Sequence, residues 1–243
     1  MEQRGERFWE LDSVRGIAIV SMIAVHAVYD MIYLKAIAGQ MGYGFWGALA
    51  FVTASTFVMV VGISFWISYS RTIGNKGSFL SAYPKYIRRG LFILSGGMLI
   101  TAVTFVLVPE GFVVFGILHL IGVSVIIAPL FYRFGENNVY IGMAFIAAGI
   151  LISGVTGPYF LLPLGIHPAD FFSFDYEPVF PWFGMVLVGM YIGSILYPGG
   201  KRAFSVRESP GIAGAFLAFL GRNSLLIYFL HQPVLIFAIT YLF

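Results

Sequence analysis

Predominantly apolar runs of about 18 residues or more recur along the whole chain, and each is long enough to cross the roughly 30 Å hydrocarbon layer of a bilayer as a helix. Val114–Phe131 is one such run. Only 10% of the residues are charged and 59% are hydrophobic, and the mean hydropathy is +0.90. A soluble domain carries about 25% charged residues, so this chain has too little charge to cover a water-exposed surface. A membrane β-barrel would show alternating segments of about 10 residues instead. The expected fold is an all-α integral membrane protein, a bundle of about seven transmembrane helices in a single domain over residues 1–243.

Reading apolar runs between polar breaks places helices at Val14–Leu34, Phe45–Tyr69, Gly90–Val108, Phe112–Tyr132, Val139–Val155, Phe180–Tyr197 and Gly221–Tyr241. Turn chemistry separates several of them, as at Pro109-Glu110-Gly111, Gly135-Glu136-Asn137-Asn138 and Pro198-Gly199-Gly200. The connection Gly157–Pro178, with His167 and several aromatics, reads as a re-entrant or interfacial lid. Met1–Glu10 is charged and has no short apolar core with a cleavage site, so no removable leader is expected. The absence of cysteine excludes a disulfide framework, a thiolate metal site and a cysteine nucleophile.

The net charge of +3 and the pI near 9.1 do not call for nucleic acid once the basic residues are placed. With a cytoplasmic amino terminus the inner side receives Arg4, Arg7, Arg71, Lys76, Lys85, Arg88, Arg89, Arg133, Lys201, Arg202 and Arg207, with Arg15 and Arg222 at helix starts. Only Lys35 falls outside. That asymmetry is what the positive-inside rule predicts for this orientation, with the carboxyl terminus outside and the chain a multi-pass protein of the plasma membrane.

An ionisable side chain in hydrocarbon costs several kcal/mol unless it faces the bundle interior or water, so each one is a functional candidate. The first helix carries the densest set. At about 100° per residue Asp12, Arg15, His26 and Asp30 fall within an arc of roughly 60°. His26 lies about 16 Å beyond Arg15 along the axis. His26 and Asp30 are one turn apart, a spacing at which a carboxylate orients an imidazole base. Helix-to-helix glue is the plainer role for such a pair, and the length of the stripe argues against it. His119 and His231 either line the same cavity or bond across helices. Arg222 with Lys85, Arg88 and Arg89 suits a phosphorylated ligand or simple snorkelling to lipid headgroups.

Arg15, ten intervening residues and His26, preceded by Leu11-Asp12 and followed at Arg15 by Gly16-Ile17-Ala18, resemble the opening of the membrane-bound acyltransferase-3 proteins. Leu220–Tyr228 followed by His231-Gln232-Pro233 resembles the carboxyl-terminal signature of that superfamily. The first-helix Arg-Gly and His-x-x-x-Asp, Phe115–His119 and Phe180–Gly184 are similar, more closely, to the DUF1624 group, relatives of the lysosomal heparan-α-glucosaminide N-acetyltransferase catalytic domain. The resemblance implies a transmembrane acyltransferase in which acetyl-CoA or another acyl-CoA enters from the cytoplasm and its acyl group passes to a glycan or other small acceptor on the outer side. It implies His26 as catalytic base, with Asp30 as its partner, and Arg15 near the CoA end of the path. Asp12, Arg88, Arg89, His119, Arg222, Ser224 and His231 complete the expected co-substrate-binding set. Proteins of that kind have ten or eleven membrane helices, so a second subunit completing the cavity, a homo-oligomer, remains an open option.

Rival classes share the bulk features. A proton-coupled small-solute transporter would use the His26 and Asp30 pair as a relay. Pairwise ligation of two haems is excluded with three membrane histidines, and neither haem nor metal is expected. The partners expected are the lipid bilayer, acyl-CoA and the acceptor, without nucleic acid.

Overall fold

In bilayer hydrocarbon every backbone N–H and C=O must find its partner within its own segment, which makes a helix the default for each apolar run. The computed structural model describes residues 7–76, 78–207 and 209–242; Arg4 and the start of the supposed leader-free segment lie outside them. Helices are α1 (Trp9–Tyr33), α2 (Gly44–Lys76), α3 (Phe79–Leu107), α4 (Ile117–Ile127), α5 (Asn138–Ile152), α6 (Val179–Leu196), α7 (Gly211–Arg222) and α8 (Ser224–Leu242). Short 3-10 runs occur at Ala128–Asn137, Tyr159–Leu164 and Pro198–Gly200. Among the described residues there is no strand. Large apolar side chains such as Leu91, Phe92, Leu99, Val106 and Phe237 stand exposed along these helices, which only a lipid environment satisfies. The chain is an all-α membrane bundle.

Among the described residues six stretches are long and apolar enough to cross a bilayer. The longest, Ile117–Ile152, is folded back on itself. The rings of Phe131 and Phe145 lie 6.2 Å apart, whereas fourteen residues of straight helix would separate them by about 21 Å. The reversal sits at Gly135, with φ 53° and ψ −121°, a conformation that glycine adopts at little cost. Asn138 fastens the turn, its Nδ2 donating to the carbonyls of Phe131 (3.1 Å) and Gly135 (2.9 Å). This stretch, counted as one of the six, is therefore made of two apolar segments that turn back on each other.

The carboxyl-terminal region corrects the expected boundaries. In place of one helix from Gly221, α7 begins at Gly211 and ends at Arg222. The run breaks at Asn223 (φ −100°, ψ 15°), whose backbone N–H (3.2 Å) and side-chain Nδ2 (2.9 Å) both donate to the Phe219 carbonyl and so close the end of α7. At 12 residues, or about 18 Å, α7 is too short to span. Both of its ends lie on the first turns of α1: Ser13 Oγ donates to Gly214 O at 3.1 Å, and a Cβ on Gly221 would meet the backbone of Asp12.

The chain divides into two compact units, Met1–Val60 with Val206–Phe243, and Val61–Ser205. In each, helices cross where glycine removes the side chain from the contact. In the first unit Gly16 of α1 lies against the backbone of Leu217, and Gly221 against that of Asp12. In the second, α3 and α4 meet at Gly90 and Gly122, and α5 and α6 at Gly142 and Gly184. A Cβ at Gly142 would stand 2.7 Å from Gly184 O, and one at Gly184 would stand 2.5 Å from Gly142 O. Without a hydrophobic drive between helices in lipid, such backbone approach supplies much of the association.

The start of α4 is a second correction. Residues 112–116 are not helical, because they pair with the connection before α6: Phe174 N donates to Gly111 O (2.9 Å) and Glu177 N to Phe115 O (2.8 Å). Asp175 then caps α4, both carboxylate oxygens accepting from Ile117 N at 3.2 and 3.1 Å. The supposed lid is thus tied down within its unit, with Tyr176 donating to Leu162 O at 2.7 Å and burial pushing its phenol up to about 12. Glu177 Oε2 is shut from solvent without a hydrogen-bond partner. Burial, with the neighbouring Asp175 charge adding to it, raises the Glu177 carboxyl well above the usual carboxylate range.

Two outcomes follow for the purified protein in detergent. Gly142→Leu should lower the thermal midpoint, at a cost of about 1–3 kcal/mol from overpacking, while Gly154→Ala, with open space around it, should leave it unchanged. For Glu177 the folded carboxyl titrates above the unfolded one, so its contribution to stability is fully present below the unfolded value and is lost as pH rises through the folded one. Glu177→Gln should therefore show a growing thermal advantage over the parent as pH rises above the ordinary carboxylate range; a constant difference would refute the burial of a neutral acid.

Candidate active site

The polar stripe on α1 lies wholly in the first unit and splits into two clusters. Near the helix start Arg15 Nη1 donates to Asp12 Oδ1 at 2.9 Å, an ion pair with both side chains largely covered. The α7 crossing brings Gly221 against this same turn, so Arg222, exposed in the last turn of α7, and Ser224, at the start of α8, belong to the same end. Asp12 and Arg15 thus lie at the α1–α7 crossing, and Arg222 and Ser224 follow Gly221 in the chain there.

The second cluster joins α1 to α8. His26 Nδ1 and His231 Nε2 are 3.0 Å apart, and the two rings lie 4.9 Å between centroids at 30°. His231 Nδ1 lies 2.6 Å from the backbone carbonyl of Tyr228. A carbonyl only accepts, so His231 Nδ1 carries the hydrogen and donates it. In the neutral imidazole its Nε2 is then an acceptor, and the hydrogen in the His26 contact is the one on His26 Nδ1. The remaining nitrogen, His26 Nε2, is a lone pair that no described residue engages.

One turn further along α1 Asp30 meets not His26 but Gln232, whose Nε2 donates to Asp30 Oδ1 at 2.8 Å. This corrects the expected His26 and Asp30 pairing: the imidazole is held by another imidazole, and the carboxylate by an amide. Asp30 Oδ2 and Gln232 Oε1 are buried without partners. An unsatisfied buried acceptor costs about 1–3 kcal/mol, so this end of the site is rich in acceptors and lacks donors. Gln232 entered the sequence reading only within a longer motif, and the part played by the Tyr228 main chain did not enter it. The word His231-Gln232-Pro233 carried the signal for Gln232, but a main-chain carbonyl leaves no signature.

The second unit holds Arg88, Arg89 and His119. Both arginines are exposed on α3. His119 is buried, with both nitrogens employed locally: Gly116 N donates to its Nδ1 at 3.2 Å, which leaves Nε2–H to donate to Thr101 Oγ1 at 3.3 Å. His119 therefore closes the first turn of α4 and bonds across to α3, which is the second of the two roles expected for it; both of its nitrogens are engaged there. Among the described residues no group of three or more His, Cys, Asp or Glu is placed to hold a metal.

Comparison with known proteins gives a family match over most of the chain. The family described as heparan-alpha-glucosaminide N-acetyltransferase, catalytic, matches residues 7–233. No curated protein and no solved structure matches the chain.

The hydrogen-bond directions make a prediction for all four histidines. His167 Nδ1 lies 2.9 Å from Pro168 O and must donate to it. At a pH where all four are neutral, 15N spectra of histidine-labelled protein should show three Nδ1–H tautomers, at His26, His167 and His231, and one Nε2–H tautomer, at His119. A His26 signal of the Nε2–H form would refute the hydrogen-bond chain.

Proposed function

The chain belongs to the heparan-alpha-glucosaminide N-acetyltransferase catalytic family, a family of membrane acetyltransferases, and on that premise we propose that it passes an acyl group from cytoplasmic acyl-CoA to an acceptor at the outer side, with His26 as general base. Acetyl is the acyl group the family name favours, and a sugar or amino sugar the acceptor. The amino terminus is cytoplasmic on this reading and the membrane is the plasma membrane, in keeping with the placement of thirteen of the fourteen Lys and Arg residues on one side.

The observation that carries the reading is the unengaged Nε2 of His26, a base inside the membrane zone with its lone pair unspent. Around it Asp30 Oδ2 and Gln232 Oε1 offer acceptors only, which suits an acceptor molecule bearing N–H or O–H donors. At the far end of the stripe Arg15 and Arg222 supply the cations that the phosphates of a CoA require. The expected Asp30 role becomes that of a binding and registering group rather than a direct partner of the base.

In the reaction so read, His26 Nε2 takes the proton of the acceptor N–H or O–H as that atom attacks the thioester carbonyl carbon. Collapse of the tetrahedral intermediate breaks the C–S bond, and the proton held by His26 goes to the departing thiolate. The products are the acylated acceptor and free CoA. A site closed to bulk water strengthens each charged contact and limits loss of the thioester to hydrolysis.

The test uses the full chain in lipid nanodiscs with labelled acetyl-CoA and glucosamine. His26→Ala should lower acyl transfer by about 10²- to 10⁴-fold, and Arg15→Gln should raise KM for acetyl-CoA with a smaller effect on kcat. Undiminished CoA release by His26→Ala removes His26 from the mechanism. No thermal stabilisation by CoA, together with solute flux into proteoliposomes, would assign the same residues to proton-coupled transport instead.

A further inference from the structure

His26 and His231 lie on α1 and α8, far apart in sequence, and their contact is directional. The Tyr228 carbonyl, fixed three residues earlier in the same helix, obliges His231 Nδ1 to donate. That leaves His231 Nε2 as an acceptor 3.0 Å from His26 Nδ1. If His26 took its other tautomer, with the hydrogen on Nε2, two lone pairs would face each other across that distance, and the nitrogen open to a substrate would carry a hydrogen instead of a lone pair. The Gln232 to Asp30 bond, 2.8 Å long, joins the same two helices beside the histidine contact and keeps their register.

We propose that His231 is a positioning residue for His26: it holds that imidazole in the Nδ1–H tautomer and so keeps Nε2 basic and turned to the acceptor. This rests on the reading of the chain as an acyltransferase and assigns His231 a part different from co-substrate binding. When His26 receives a proton at Nε2, its Nδ1–H still donates to His231 Nε2, so the pair keeps its geometry through the step. The imidazolium is stabilised by a neighbour that can accept, and no group has to turn. His231 thus occupies the place that a carboxylate fills in the better-known nucleophile–base–acid arrangements, at less cost to bury because it is uncharged.

Three substitutions separate positioning from helix glue. The longer amide introduced by His231→Gln would offer its oxygen near the place of Nε2, while the shorter one introduced by His231→Asn would keep a donor near the place of Nδ1 and offer His26 nothing. His231→Ala should lower kcat by about 10²- to 10⁴-fold with KM for acetyl-CoA changed less than about twofold. His231→Gln should recover at least about tenfold of that loss, and His231→Asn should not. In 15N spectra His26 should move from the Nδ1–H to the Nε2–H form in His231→Ala and His231→Asn, and stay Nδ1–H in His231→Gln.

Equal activity of the His231→Gln and His231→Asn variants, or a His26 that stays Nδ1–H in His231→Ala, would overturn the proposal. If the parent protein transfers no acyl group to any acceptor, the acyltransferase reading falls, and the spectra still decide whether His231 sets the His26 tautomer. If His231→Ala does not fold, the comparison of the two amide variants carries the test alone.

Discussion

A main-chain carbonyl cannot donate, and inside a membrane there is no water to complete what a side chain leaves undone. From that constraint at Tyr228 the state of two imidazoles follows in sequence, first His231 and then His26. The chemistry available at the far nitrogen is therefore decided by helix geometry rather than by a charge. A carboxylate in that place would bring a buried ion that needs its own compensation. The uncharged relay avoids it, and the one carboxylate nearby is held by an amide.

The helices that carry these groups are held by close backbone contact. Gly16 and Gly221 let α7 lie on the first turns of α1, and that crossing is what gathers Asp12, Arg15 and Arg222 at one end. The second unit repeats the device at Gly90 with Gly122 and at Gly142 with Gly184. Packing of this kind is short-range and leaves little room for sliding, so the register between α1 and α8 can be kept by two hydrogen bonds. Under the proposed function the site then depends on residues that make no contact with a substrate.

The sequence made the architecture legible because hydropathy acts over whole segments: the expected apolar runs return as helices, and the break at Gly135-Glu136-Asn137-Asn138 falls where the chain reverses. It made α7 illegible because Gly211–Arg222 is shorter than a span and joins α8 without a proline or a charged loop, broken only at Asn223. At the candidate site the polar stripe on α1 named His26 and Asp30, both of which are tied to α8. Their partners were misjudged, since His26 and Asp30 at four-residue spacing suggest each other, while the groups that bind them come from 202 and 205 positions away. His119 was equally opaque: one apolar helix looks like another until a turn of backbone claims the imidazole.

The shortness of α5 bears on the lipid itself. Its 15 residues reach about 22 Å, against a hydrocarbon layer of roughly 30 Å. A helix that falls short of its solvent draws the two leaflets toward each other or admits headgroups and water at its ends, at fractions of a kcal/mol per Å. With 29 residues α3 of the same unit is longer than the layer, so the bilayer meets helices of unequal apolar height there rather than one uniform thickness.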